Sequence, residues 1–322
     1  MKIGILGTGA YGLSLALSFL ENTKEITMWT KIEQEYQTLS ETRRHPTALP
    51  GITIPTEITI TRNMEEATFD KKIIVIAIPT EYIDPVLEEL KPYLTNQIIL
   101  IASKGVSIDG LFIRDKVREL IPDERIAVIS GPSFAIDLAS HVPVGLSLAS
   151  TSDQAMDLVH QALAGSKLKL RKTYDVLGVE ICGAIKNVIA IASGMLEGMG
   201  YPISTKAMLI TESLHDIKNL IHTLGGDKNT ILSFAGFGDL LLTCTSEKSR
   251  NYSFGKILGS GTREEIDSYI HTHTIEGLST LKGMQEFIRM QDIEMPVITL
   301  IYQIIQGEKE NNALIDFLME KQ

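Results

Sequence analysis

Cysteine is scarce: Cys182 and Cys244 are the only two in 322 residues, both in apolar surroundings and far apart along the chain. That excludes a disulfide framework and a multi-thiolate zinc site, and it fits a reducing compartment. Positive charge is also short, with 30 lysines and arginines against 40 aspartates and glutamates, for a formal net charge of −10. A broad nucleic-acid-binding face needs clustered cations, so nucleic acid is excluded as a partner. A small anion held by a few local lysines or arginines is not excluded. No apolar run reads as long enough for a membrane span. No basic region and apolar stretch precede the first strand-like run, so a signal peptide is not expected, and the cytoplasm is. The tight pair His271 and His273 reads as a solvated turn, and no metal is expected.

What remains is the composition of an ordinary globular protein, too long for one simple core, so two domains are expected. Apolar, β-rich runs lie at residues 2–6, 25–29, 73–78, 97–102, 125–129 and 144–149. Helical patterns at 13–20, 83–90 and 108–120 fall between them. Such alternation predicts a doubly wound, mostly parallel α/β sheet. Residues 38–62, with Pro46, Pro50, Gly51 and Pro55, read as an irregular excursion from that sheet. Beyond about residue 180 the style changes to long apolar helical patterns at 179–195 and 205–224, with no strand series. The expectation is a Rossmann-type domain over 1–178 and an all-helical domain over 179–322.

Gly7-Thr8-Gly9-Ala10-Tyr11-Gly12 is a complete G-x-G-x-x-G, placed between the first strand and the first helix, where a dinucleotide site needs it. Gly7 permits the tight turn, Gly9 leaves room for a pyrophosphate, and Gly12 lets helix and strand pack closely. The helix N-terminus adds partial positive charge. The second strand ends in Trp29-Thr30-Lys31, with no carboxylate at the spot where NAD-specific sites often carry one. Lys31 can pair with a 2′-phosphate, so NADP(H) is permitted and favoured; Glu33 and Glu35 keep NAD(H) open.

Lys186 sits among small and apolar residues, so it must snorkel, find a partner such as Glu180 or Asn187, or lose its proton more easily. The last two suit proton transfer. Asp239, at the start of a helical stretch, reads either as an N-cap or, with Thr243 one turn on, as part of a polyol site. Ser249-Arg250-Asn251 offers donors for a phosphate. Lys104 closes a strand, and the 130–135 loop follows the next one, both at the rim where open α/β sheets bind ligands.

Together these segments resemble the bacterial NAD(P)-dependent glycerol-3-phosphate dehydrogenases. The likeness rests on the glycine turn, Leu49-Pro50-Gly51, Ser103-Lys104-Gly105, the 130–135 loop, the 183–192 stretch around Lys186, Gly238-Asp239-Leu240, the 242–246 stretch, Ser249-Arg250-Asn251, Glu276-Gly277 and Glu294-Met295-Pro296. The resemblance implies reversible reduction of dihydroxyacetone phosphate to sn-glycerol 3-phosphate for glycerophospholipid synthesis, with direct hydride transfer and no metal. It implies Lys186 as catalytic lysine, with Asp239 and Thr243 orienting it. Lys104, Gly131, Ser133, Lys186, Asp239, Ser249, Arg250 and Asn251 match substrate positions. Gly7, Gly9, Ala10, Tyr11, Gly12, Lys31, Lys104, Ala135, Arg250, Thr274 and Glu276 are the cofactor positions for NADP(H) or NAD(H). A homodimer is the default assembly. The chain departs from the family at His45-Pro46-Thr47-Ala48, Pro79-Thr80-Glu81, Pro202-Ile203-Ser204 and Glu212-Ser213. The alternatives are a dehydrogenase for a hydroxy acid or nucleotide sugar, and a non-catalytic NAD(P)H-sensing protein.

Overall fold

A computed structural model of the chain describes residues 1–23 and 25–320. Its contacts divide the chain into two compact units: Met1–Ser103 with Ile113–Val176, and Lys104–Phe112 with Leu177–Gln322.

The first unit is an eight-stranded sheet: β1 (Lys2–Leu6), β2 (Glu25–Trp29), β3 (Ile58–Thr61), β4 (Ile73–Ile76), β5 (Ile98–Ile101), β6 (Ile126–Ser130), β7 (Val144–Ala149) and β8 (Leu168–Thr173). The order is β3-β2-β1-β4-β5-β6-β7-β8, parallel throughout except at the β6–β7 pair. Its helices are α1 (Ala10–Leu20), α2 (Glu33–Thr42), α3 (Met64–Thr68), α4 (Ile83–Leu90), α5 (Ile113–Arg118), α6 (Ala135–Ala139) and α7 (Asp153–Ala162). The central strands Ile73–Ile76 and Ile98–Ile101 are buried at every residue, as strands covered on both faces must be.

Three local expectations need correction. The 38–62 segment is not wholly outside the sheet, because α2 runs on to Thr42 and Ile58–Thr61 pairs in parallel with β2 as an edge strand. A further edge strand, β8, was not expected, since its outward Lys169, Arg171 and Lys172 break up the apolar signal. Charges of this kind blunt an edge against pairing with another chain. The helical pattern at 108–120 shrinks to Ile113–Arg118. Gly110 turns with φ +79, and Val106 bridges to Phe112, so Lys104–Phe112 forms a loop that belongs to the second unit. A single cut at 178 therefore differs from the observed division at that excursion.

The second unit is helical: α8 (Val176–Gly198), α9 (Ile203–Thr223), α10 (Asp239–Cys244), α11 (Arg250–Ser260), α12 (Arg263–Thr272), α13 (Glu276–Gln291), α14 (Pro296–Ile305) and α15 (Ala313–Glu320). By length and composition α8 could cross a membrane, which corrects the reading that no run is long enough. Yet 89% of its most apolar window is buried inside the protein, so it serves as the central core helix. Gly194 and Gly198 face Gly255 and Gly259 of α11 so closely that a Cβ on any of them would strike the opposite helix's backbone. This close crossing brings the start of α11, with Asn251, beside α8.

Candidate active site

In the first unit the glycine turn has the form the sequence predicts. Gly7 has φ +115, and a Cβ there would collide with the carbonyl of Ala77. One on Gly12 would collide with the carbonyl of Gly7. Gly9 differs: its Cβ position meets nothing within 4 Å. Gly7 and Gly12 are needed for packing, while Gly9 faces open space at the N-terminus of α1. An open cradle there is what a pyrophosphate requires, so these residues fit a dinucleotide. Ala10 and Tyr11 open α1, and the Tyr11 hydroxyl lies 3.2 Å from Ser133 Oγ. Ser133 also donates to the carbonyl of Gly131, and Ala135 begins α6 directly after. Lys31 stands exposed at the end of β2, ion-paired to Glu89 at 3.1 Å.

In the second unit four predicted residues meet. Lys186 is 8% exposed and does not snorkel. Its ammonium donates to Asp239 Oδ1 at 2.6 Å and to Thr243 Oγ1 at 3.2 Å. Lys104, on the excursion loop, donates to the other oxygen, Asp239 Oδ2, at 2.7 Å. Asp239 is 1% exposed and is the first residue of α10, with Gly238 at the cap position, so the N-cap alternative falls. A wide turn over Phe234–Gly238 leads into α10, and a Cβ on Gly236 within it would strike the carbonyl of Ile231. The Thr243 hydroxyl is oriented by donating to the Asp239 backbone carbonyl at 2.6 Å.

The electrostatics follow from two buried lysines sharing one buried carboxylate. Burial pushes the Lys186 ammonium below its ordinary value, Asp239 opposes that shift, and the Lys104 charge reinforces it. Burial alone would raise the Asp239 carboxyl, but the charges of Lys104 and Lys186 overcome it and hold the group below the usual carboxylate range. Cys244, buried nearby, is pushed strongly upward by burial and stays a thiol.

A second network adjoins through Asn187, which follows Lys186. Asn251 Nδ2 donates to Asn187 Oδ1 at 3.0 Å, and Asn187 Nδ2 donates to Glu276 Oε2 at 3.1 Å. Asn251 Oδ1 accepts the Gly277 backbone N–H at 2.8 Å. Arg250 stands half-exposed, 3.8 Å from Glu276 Oε1. Ser249 caps α11 by accepting the Tyr252 N–H, and Thr274 lies exposed between α12 and α13. Asn187, read from sequence only as a companion of Lys186, thus joins the network through Asn251 and Glu276. Among the described residues, no cluster of three or more histidine, cysteine or acidic side chains is placed to hold a metal.

A parallel sheet with a glycine cradle, together with a buried lysine–aspartate cluster, defines a nicotinamide-dependent oxidoreductase. Two family models cover nearly the whole chain: the N-terminus of NAD-dependent glycerol-3-phosphate dehydrogenase over residues 2–156 and its C-terminus over 175–316. The chain belongs to this family, and its cofactor is NAD(H) or NADP(H). A glycerol-3-phosphate dehydrogenase [NAD(P)+] of Roseobacter denitrificans is 32% identical over 99% of this chain and 98% of its own length. One from Haemophilus ducreyi is 34% identical over 99% and 96%. The crystal structure of glycerol-3-phosphate dehydrogenase from Coxiella burnetii superposes with a TM-score of 0.93 at 28% identity, covering 99% of both chains.

Proposed function

We propose that the chain interconverts dihydroxyacetone phosphate and sn-glycerol 3-phosphate with Lys186 as the proton-transfer residue. One observation carries the reading: a buried ammonium, eased toward deprotonation, shares a carboxylate with a second lysine and touches a threonine hydroxyl. The bound nicotinamide supplies or accepts the hydride. In reduction Lys186 Nζ gives a proton to the ketone oxygen as charge develops there, and in oxidation the neutral amine takes the hydroxyl proton. Asp239 and Thr243 fix the ammonium's direction. Lys104 keeps Asp239 ionised and adds positive charge for an anionic substrate.

Arg250, with Ser249 and Asn251 at the start of α11, takes the phosphate, and Gly131 and Ser133 are substrate positions on the family resemblance. Ala10, Tyr11, Lys31, Ala135, Thr274 and Glu276 hold the dinucleotide with the glycine turn. Supply of glycerol phosphate to glycerophospholipid synthesis, a cytoplasmic location and a homodimer complete the reading. The test is direct. Mixing the protein with dihydroxyacetone phosphate and NADH or NADPH should consume the reduced nicotinamide and yield sn-glycerol 3-phosphate in equal amount. Well-folded protein that turns over neither cofactor would rule the activity out and favour a binding protein.

A further inference from the structure

The end of β2 lacks the acid that reads a ribose 2′-hydroxyl in many NAD sites, since Thr30 stands there. The structure brings one in from elsewhere. Glu35, in the first turn of α2, turns its carboxylate back to this spot and accepts the Thr30 hydroxyl on Oε2. Thr8, the buried residue between Gly7 and Gly9 in the glycine turn, stands beside it and favours its charged form. The carboxylate is therefore tied to the strand end and stands beside the phosphate turn, the two places that flank the adenosine ribose in this fold.

The second donor is His45, a position where the chain departs from its family. His45 Nε2 lies 2.8 Å from Glu35 Oε1. The other ring nitrogen, Nδ1, accepts backbone N–H groups from Ala48 at 2.8 Å and Thr47 at 3.2 Å. An accepting Nδ1 carries no proton, so the ring is neutral and its one hydrogen points at Glu35. The imidazole thus orients the carboxylate without cancelling its charge. Burial alone would raise the Glu35 carboxyl, but the bonds from His45 and Thr30, with the nearby Thr8 hydroxyl, outweigh it and hold the group below the usual carboxylate range.

The remaining charges at this strand end are already paired. Lys31 meets Glu89, and Arg62, at the end of β3, meets Glu33 while its guanidinium reaches the Lys31 carbonyl. Glu35 is left as the unbalanced charge. A carboxylate has about four acceptor sites, and the two donors Thr30 and His45 leave room for a ribose hydroxyl.

We propose that Glu35 is the ribose-reading acid of this chain, and that it selects NADH over NADPH. The proposal rests on the glycine turn being the dinucleotide site. A ribose 2′-hydroxyl donates to the ionised carboxylate. A 2′-phosphate carries two negative charges against it, and must also draw Lys31 and Arg62 away from Glu89 and Glu33. The expectation from Lys31 alone, that NADP(H) is favoured, is reversed once its partner and Glu35 are counted.

The test is calorimetric titration of the full chain with NADH, NADPH, adenosine 5′-monophosphate and adenosine 2′,5′-bisphosphate. NADH should bind at least tenfold more tightly than NADPH, and the monophosphate more tightly than the bisphosphate. Glu35→Gln, which keeps the shape and removes the charge, should narrow the dinucleotide ratio at least fivefold, weakening NADH and strengthening NADPH. Equal or reversed preference in the unaltered protein overturns the proposal, and so does an unchanged ratio in Glu35→Gln. If that variant fails to fold, the two adenosine nucleotides on the unaltered protein decide. Gly9→Val separates the underlying reading: it should lose both dinucleotides, and if it binds them normally the cofactor site itself is misplaced.

Discussion

Asp239→Asn should destabilise the protein by about 3–5 kcal/mol, the usual cost of leaving a buried charge without its partner. Here two ammonium groups lose the carboxylate they share, one on each oxygen. The neutral amide cannot balance either. Urea unfolding followed by circular dichroism measures the loss, and an unchanged midpoint would show that the two lysines find other counter-charges. The linkage has a definite sign. The folded Asp239 carboxyl titrates below its ordinary 3.8, so the stability it contributes is complete above that value. It is lost only as pH falls through the lower, folded value. The same variant should depress reduction of the ketone by 100-fold or more, on the order of a full general-acid contribution. Without Asp239, Lys186 loses the main influence that keeps it protonated.

Lys186→Ala should separate activity from stability. The cluster of Lys104, Lys186 and Asp239 carries one more positive than negative charge, so removing Lys186 leaves a balanced pair at 2.7 Å. Stability is therefore expected to hold or rise, in contrast to Asp239→Asn. Turnover should fall about 10²–10⁴-fold, because the ammonium directed by Asp239 Oδ1 and Thr243 is lost. Dinucleotide affinity should be nearly unchanged, since Lys186 is not among the residues assigned to the dinucleotide. Activity within tenfold of the unaltered enzyme would remove Lys186 from the reaction, and a large stability loss would contradict the charge count. A buried group that serves chemistry at some cost to folding is a familiar pattern in enzymes.

How much of this was legible depended on whether the signal was local. The glycine turn could be read directly, because one strand, three glycines and one helix are consecutive and each glycine answers a separate steric need. The inner strands were legible for a similar reason: burial on both faces demands unbroken apolar runs. β3 and β8 were hidden because edge strands escape that demand, one lying in a proline-rich stretch and the other alternating leucine with lysine and arginine. Lys186 announced itself as a cation in an apolar helix, but Asp239 had a competing local use as a helix cap, and only the tertiary pairing decided between them. Glu35 and His45 were the least legible. Glu35 could be read only as one of two acids near enough to keep NAD(H) open and His45 only as part of a loop, and their joint position beside Thr8 and Thr30 depends on how the chain returns from α2 toward β3. The membrane-length apolar run in α8 was missed for a simpler reason: single polar residues such as Lys186 and Asn187 interrupt it to the eye, while its mean hydropathy stays high.

The central claim is that Lys186 moves the proton, and that burial has prepared it to do so. The most direct test is the pH profile of kcat/KM for sn-glycerol 3-phosphate oxidation in the unaltered enzyme, above about pH 7 where the substrate phosphate is already a dianion. The rate should rise through one ionisation lying below the ordinary lysine value of 10.5, and that inflection should be absent from the residual rate of Lys186→Ala. An inflection at or above 10.5, or one that survives the loss of Lys186, would contradict the account.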